Sequence, residues 1–331
     1  MQNKIVELFS NYDEILVPIK YEKKVNYIAY YYNYVNFKNI EKVQKIIKSI
    51  QILLNTKVDF KFTDGIFELD VEYQQKSLLY FENYFTKIPK NENYILLGVD
   101  DNNNPVYRKI EKIKSILVAG TSGSGKSNLL HQIIMSTLLC NKDIYLCLID
   151  MKATEFNRYN MIYKSSNRLI LKVATNFKNA LKSIVYISCI VDDRLKKMKK
   201  KNERFSSEKP ILFVIDECAQ LFTTRKEKEG INNYISKIGA LGRAANVYLV
   251  LATQYPNNDN IENVIRVNLQ SRIALKCMDV HQSQNILGTS GAEELTNPGD
   301  MIIWIDGENK TKCRSTYLSD EFLDRFFEIN S

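Results

Sequence analysis

Apolar residues recur along the chain in distinct rhythms. Between residues 39 and 54, Ile40, Val43, Ile46, Ile47, Ile50, Leu53 and Leu54 fall at helical spacing, with Lys42, Lys45 and Lys48 between them. This spacing predicts an amphipathic helix with a solvated lysine face. Val58, Phe60 and Phe62 then alternate, Asp64-Gly65 supplies a turn, and Phe67, Leu69, Val71 and Tyr73 alternate again. Period two on either side of an Asp-Gly pair predicts a hairpin. A small α+β subdomain over residues 1–92 is therefore expected. Residues 94–110 read as two short strands around an Asn-rich turn. From residue 115 onward the rhythm changes to continuous apolar runs separated by helical stretches: SILVAG at 115–120, DIYLCLID at 143–150, RLILKVA at 168–174, PILFVIDE at 210–217 and VYLVLATQ at 247–254. Strands apolar at every position suit a sheet covered on both faces. They predict an α/β core with a mainly parallel sheet over residues 93–331.

Composition narrows the chemistry. With 331 residues, 45% hydrophobic and 25% charged, the chain is long enough for a large core plus a smaller unit and has the balance of an ordinary globular protein. Forty-six Lys and Arg against 38 Asp and Glu give a net charge of +8, which suits a polyanionic partner without identifying one. A lysine-rich, low-GC codon bias, which the abundant Asn, Ile, Tyr and Lys also fit, is the alternative source of that excess. The one charge run, KKMKKK at 196–201, reads as a solvated helix end. The six cysteines, at 140, 147, 189, 218, 277 and 313, form no CxxC pair and read as core thiols of a reducing cytosol. Only two histidines, His131 and His281, are present, so a zinc site or His-based acid–base catalysis has little to draw on. The N-terminal segment has no leader pattern and no run approaches the roughly 20 apolar residues of a membrane span; a cytoplasmic protein is expected.

The strand ending at Ala119 runs into GTSGSGKS at 120–127, a GxxxxGK[ST] loop between a strand and a helix, the setting that gives this motif its meaning. Gly120, Gly123 and Gly125 leave backbone N–H groups free to wrap phosphates at a helix N-terminus. The expected phosphate cradle comprises Gly120, Thr121, Ser122, Gly123, Ser124, Gly125, Lys126, Ser127 and Asn128. Lys126 would reach the β- and γ-phosphates and Ser127 would ligate Mg²⁺. ILFVIDE places two acids at the end of a buried strand: Asp216 to hold Mg²⁺ and Glu217 to orient and polarise the attacking water. ATP and Mg²⁺ are the implied cofactors, and Glu217 separates a hydrolase from a metal-binding switch. Gln254, at the tip of VYLVLATQ, is placed to sense the γ-phosphate; a satisfied strand-end amide is the alternative.

Several of these segments together resemble the motor domain of the FtsK/SpoIIIE family of DNA translocases. The resemblance is carried by VAGTSGSGKS from Val118, IDMKATE with Asp150, Lys152 and Glu155, VDDRLKKM at 191–198, IDECAQLF at 215–222, LGRAANVYLVLATQYP at 241–256, SRIAL at 271–275 and GAEELTNPGDMI at 291–302. It implies a RecA-like P-loop ATPase core, a homo-oligomeric, hexameric ring around double-stranded DNA, and ATP sites completed by the neighbouring subunit. Arg243 is the implied trans-acting arginine, with Arg272 as alternative. Arg266 matches a basic position facing the DNA channel. Tyr255, Val280 and Gln284, with His281 between the last two, stand where the family is usually basic, and duplex affinity scales with the number of cations on phosphate, so the implied DNA grip is weak, differently placed or directed at another substrate.

The resemblance leads to an expected ATP-driven DNA translocase of a plasmid, conjugative element or phage, serving transfer, segregation or packaging. A membrane-channel or relaxase partner would fit that role and could recruit the chain to a membrane. Two other classes are weighed: a protein-secretion motor of the type VII kind, and an ATP-dependent assembly factor that does not translocate. No appended winged-helix reader is expected, and Glu217 and Gln254 speak against a non-motor module.

Overall fold

The computed structural model describes the whole chain except residues 36, 38, 74–76, 91, 142, 166–167, 222–224, 255–267 and 331. It divides into two compact units, residues 1–77 with 101–104, and residues 78–100 with 105–331. The break falls at Ser77/Leu78 rather than at 92, because the segment after it pairs within the larger unit. Phe81 N–H donates to the Tyr317 carbonyl at 3.0 Å, and the Phe81 ring meets Phe322 edge-on at 5.6 Å.

The smaller unit is an antiparallel sheet of β1 (Ile15–Lys23), β2 (Tyr27–Val35), β3 (Val58–Thr63) and β4 (Ile66–Glu72), in the order β1-β2-β4-β3. The expected helix is Ile40–Leu54, started by Asn39, whose side chain accepts from Glu41 N–H, a standard N-cap bond. Its Val43, Ile46, Ile47 and Ile50, with Ile5 and Phe9 of the helix Gln2–Ser10, bury against Tyr32, Tyr34, Phe67 and Leu69 of the sheet. Asp70 also sits on β4, 7% exposed, with Lys61 Nζ 3.0 Å from its Oδ2.

The larger unit holds a nine-stranded sheet. β5 (Tyr94–Asp100), β6 (Pro105–Lys109), β7 (Ile116–Ala119), β8 (Tyr145–Asp150), β9 (Ile211–Asp216), β10 (Val247–Thr253), β11 (Ser271–Leu275), β12 (Asp300–Trp304) and β13 (Thr311–Arg314) lie in the order β6-β5-β13-β12-β11-β7-β10-β9-β8. The run β11-β7-β10-β9-β8 is parallel; the rest pairs antiparallel. The parallel strands β7, β9 and β10 are buried at every position, as continuous apolar runs require. On one face pack the helices Phe177–Lys201 and Arg225–Leu241, through Ile184, Ile187, Val191, Ile231, Ile235 and Ile238. The helix Lys126–Cys140 is buried along most of its length, and Gln132 and Ser136 bond the backbone of Leu96 on β5. The lysine run closes the helix Phe177–Lys201, where cations complement the C-terminal end of the helix dipole. Five of the six cysteines are buried.

RLILKVA does not form the expected strand. It touches β8 only at isolated bridges, Leu146 with Leu169 and Ile149 with Ala174. It advances five residues while β8 advances three, so the intervening backbone leaves the ladder, and Val173 N–H turns to the Asn160 side chain.

Burial pushes the Asp70 carboxyl up to about 6 against the pull of Lys61. This lies above the value of an unfolded Asp, about 3.9. The folded state therefore holds the extra proton, and stability rises as pH falls from about 6 toward about 4. Asp70→Asn is expected to raise the urea midpoint at about pH 7.5 and to give no gain near pH 4; an equal effect at both pH values would contradict the shift.

Candidate nucleotide site

Parallel strands place all their C-terminal ends at one sheet edge, where α/β proteins bind ligands. The register of this sheet decides which residues meet there. β8 and β9 pair Asp150 with Asp216, and β10 and β7 pair Thr253 with Ala119. The loop after β7, the acids after β9 and Gln254 after β10 therefore stand side by side.

The loop 120–125 has the backbone its glycines permit. Gly123 has φ +76 with open space where a Cβ would be, and Gly125 has φ +93 at the start of the helix Lys126–Cys140. A Cβ on Gly125 would lie 2.7 Å from Gly299 N. Thr121 N–H and hydroxyl both donate to the Lys276 carbonyl, and Gly299 N–H donates to the Ser124 carbonyl at 2.8 Å. Gly120 would clash with Leu275 if it carried a Cβ. The loop is thus held between β11 and the turn before β12. Ser122 and Gly123 are exposed, whereas the Ser124 hydroxyl is buried without a partner. The Asn128 side-chain amide donates to the Thr316 carbonyl and its oxygen accepts from Leu318 N–H at 3.0 Å, so this side chain fastens the helix to the segment after β13.

Lys126, 5% exposed, contacts Asp216 Oδ1 directly. Asp216 Oδ1 also accepts from Glu217 N–H at 2.9 Å. Glu217 is 3% exposed and sits at φ +51, a left-handed conformation that costs a non-glycine residue about 1–2 kcal/mol. The turn carries its carboxylate toward β10, where Oε1 accepts from Gln254 N–H at 3.2 Å and the Thr253 hydroxyl at 3.4 Å. Its Oε2 lies 3.2 Å from Lys152 Nζ. Lys152 is brought there by Asp150, fully buried, whose carboxylate accepts from the N–H groups of Lys152, Glu155 and Phe156. Sequence reading noted Lys152 only as a motif match; its pairing with Glu217 follows from the β8–β9 register. Glu155 faces His131, with Nε2–Oε2 at 3.6 Å, and the imidazole holds its carboxyl below the usual range against the opposing effect of burial. A cavity of about 360 Å³ lined by Thr121, Ser122, Gln254, Lys276, Cys277, Met278 and Glu293 opens beside the loop.

Arg243 and Arg272 are elsewhere. Arg243 is exposed before β10 begins, its guanidinium over the Phe205 ring at 5.8 Å. The length of β10, seven residues at about 3.3 Å each, separates it from Gln254. Arg272 donates to the Ile286 carbonyl at 2.8 Å and stacks over Trp304. Val280, His281 and Gln284 are exposed on the helix Val280–Leu287. Tyr255 and Arg266 lie outside the described residues.

Residues 81–209 match the model of the FtsK/SpoIIIE family. A DNA translocase FtsK of Staphylococcus aureus is 32% identical over 258 residues, covering 71% of this chain, and one of Listeria monocytogenes is 31% identical over 278 residues, covering 76%. The chain belongs to the FtsK/SpoIIIE family. It spans about a third of those relatives, 32% and 36% of their lengths. Among solved structures, the pCW3 conjugation coupling protein TcpA with ATPγS is similar to this family member at TM-score 0.70 and 20% identity, over 100% of this chain and 99% of that one. The cytoplasmic domain of the type VII secretion ATPase EccC of Thermomonospora curvata follows at 0.61 and 19%, covering 74% of this chain and 32% of that one. Both share the fold of a P-loop, RecA-like core.

Lys152→Met removes the cation beside a buried carboxylate. The expected loss is about 1–3 kcal/mol of unfolding free energy, read by urea denaturation, with Lys152→Arg recovering most of it. No loss in Lys152→Met would show that the pair contributes nothing.

Proposed function

We propose that this chain is an ATP-driven double-stranded DNA translocase of a plasmid, conjugative element or phage, working as a homo-oligomeric, hexameric ring. One observation carries the reading: Lys126, Asp216, Glu217 and Gln254, from three strands, converge at one sheet edge in an FtsK/SpoIIIE family chain. The left-handed Gly123 and Gly125, the first facing open space, the buried ammonium and the unpartnered Ser124 hydroxyl fit a triphosphate. The Ser127 hydroxyl and Asp216 carboxylate are hard oxygen donors that suit Mg²⁺. When bound, Mg²⁺ would neutralise charge on the β- and γ-phosphates.

The residues divide the work by position. Backbone N–H groups of 121–127 cradle the phosphates, and Lys126 exchanges its Asp216 partner for them. Glu217 takes the proton of the attacking water, and Lys152, Thr253 and the Gln254 N–H hold its carboxylate in place. The Gln254 side chain senses the γ-phosphate. Arg243, a strand length from its own site, is available to a neighbour's nucleotide, where a guanidinium offsets charge developing in transfer. Arg272, engaged with Ile286 and Trp304, is the weaker candidate.

The conjugation-type role is supported by the end-to-end fold likeness to TcpA, and a membrane-channel or relaxase partner would recruit such a motor. Among the described residues no helix is long and apolar enough to cross a membrane. DNA contacts are proposed at Arg266 and Tyr255. With neither Lys nor Arg at Val280, His281 and Gln284, few phosphate contacts are predicted, hence a shallow salt dependence. The likeness to EccC keeps a secretion motor as the second reading.

Hydrolysis by the purified protein is expected to rise with duplex DNA, and rates unchanged by duplex DNA across a range of salt would sink the translocase reading. Lys126→Ala should abolish turnover. Glu217→Gln should lower kcat roughly 10²–10⁴-fold while ATP still binds; retained activity would remove Glu217 from its assigned role. Arg243→Ala should bind ATP normally yet hydrolyse poorly, and doping it into wild-type rings should depress activity more than its mole fraction.

A further inference from the structure

Sheet order fixes which way a nucleotide must lie. Lys126 follows β7, and Asp216, Glu217 and Gln254 follow β9 and β10, so the γ-phosphate end faces that side. The nucleoside end then leaves across the opposite side, toward β11, β12 and β13. There Gly299 accepts from Ser315 N–H while donating to Ser124 of the loop, which ties the phosphate cradle to the chain just after β13. That chain is clamped to the first turns of the helix Lys126–Cys140. Asn128 bonds Thr316 and Leu318, and Gln132 Oε1 accepts from the Thr316 N–H and hydroxyl at 2.6 and 2.7 Å.

Tyr317 sits between those two clamped residues, and its own backbone is also fully used. Its N–H donates to the Leu79 carbonyl at 2.7 Å and its carbonyl accepts from Phe81 N–H at 3.0 Å. Thr316, Leu318 and Phe81 are buried, yet Tyr317 is 38% and Tyr80 45% exposed. The two rings meet edge to face, with centroids 6.0 Å apart at 75°. A backbone bonded on both edges fixes the ring's base to within hydrogen-bond tolerance, and the edge-on neighbour restrains its rotation. The result is an exposed, restrained aromatic ring on the segment clamped to the first turn of the P-loop helix, on the β13 side of β7 in the sheet order.

We propose that Tyr317, braced by Tyr80, is the stacking platform for the base of the bound nucleoside triphosphate. The inference rests on the nucleotide reading above and adds the base-binding half of that site. An aromatic ring offers a base its π-face, and removing such a partner weakens binding roughly 10- to 100-fold. Inorganic tripolyphosphate, which has the phosphates and no base, should not sense the platform.

Isothermal titration of ATP and of inorganic tripolyphosphate into wild-type, Tyr317→Ala, Tyr317→Phe and Tyr80→Ala proteins separates the two halves. Tyr317→Ala is expected to weaken ATP roughly 10- to 100-fold and leave tripolyphosphate unchanged. Tyr317→Phe should stay close to wild type, and Tyr80→Ala should fall between the two. Unchanged ATP affinity in Tyr317→Ala, or equal losses of ATP and tripolyphosphate, would overturn the platform while leaving the phosphate site intact as a reading. Failure of wild-type protein to bind either compound would overturn both.

Discussion

Charge buried at a sheet edge is the constraint on which this structure depends. Lys126, Asp216 and Glu217 are each at most 5% exposed, and an ionised group so far from water is tolerated only when paired and hydrogen-bonded. Lys126 meets Asp216, Asp216 meets the Glu217 N–H, and Glu217 meets Lys152 and the end of β10. Through these contacts the loop after β7, the turn after β8 and the ends of β9 and β10 become one electrostatic unit. Each element holds the next in register.

The surrounding structure supplies what the charges cannot. Strands buried at every position give a sheet that does not slip, because successive side chains of β9 and β10 alternate between two faces that are both covered. Asp150 spends both oxygens on three backbone N–H groups and so shapes the turn that offers Lys152. The left-handed backbone of Glu217 is the local strain in this arrangement. It is held by the hydrogen bonds around it and aims the carboxylate away from the line of its own strand.

A second layer fastens the phosphate loop from the other side. Gly299 against Gly125, and Asn128 and Gln132 against residues 316–318, join the beginning of the core to its last strand region. Segments nearly two hundred residues apart in the chain thus share one wall of the site. The arginines divide by the same logic. Arg272 is absorbed into the fold by a carbonyl and an indole ring, whereas Arg243 stands exposed at the far end of β10.

Much of this was legible in the sequence, and for physical reasons. The hairpin at Asp64-Gly65, the helix after Asn39 and the buried strands of the core all follow from local periodicity and turn chemistry, which act over a few residues. The loop GTSGSGKS and the pair Asp216-Glu217 were legible because glycine conformations and strand-end acids leave fixed local signatures. RLILKVA was misread because a short apolar run looks the same whether its backbone joins a ladder or bulges away from it. The Lys152–Glu217 contact, the clamping of Asn128 to residues 316–318 and the placing of Tyr317 beside the P-loop helix depend on strand order and register. Those are settled by packing between segments far apart in the chain, so periodicity named the parts while only the tertiary structure decided which of them touch.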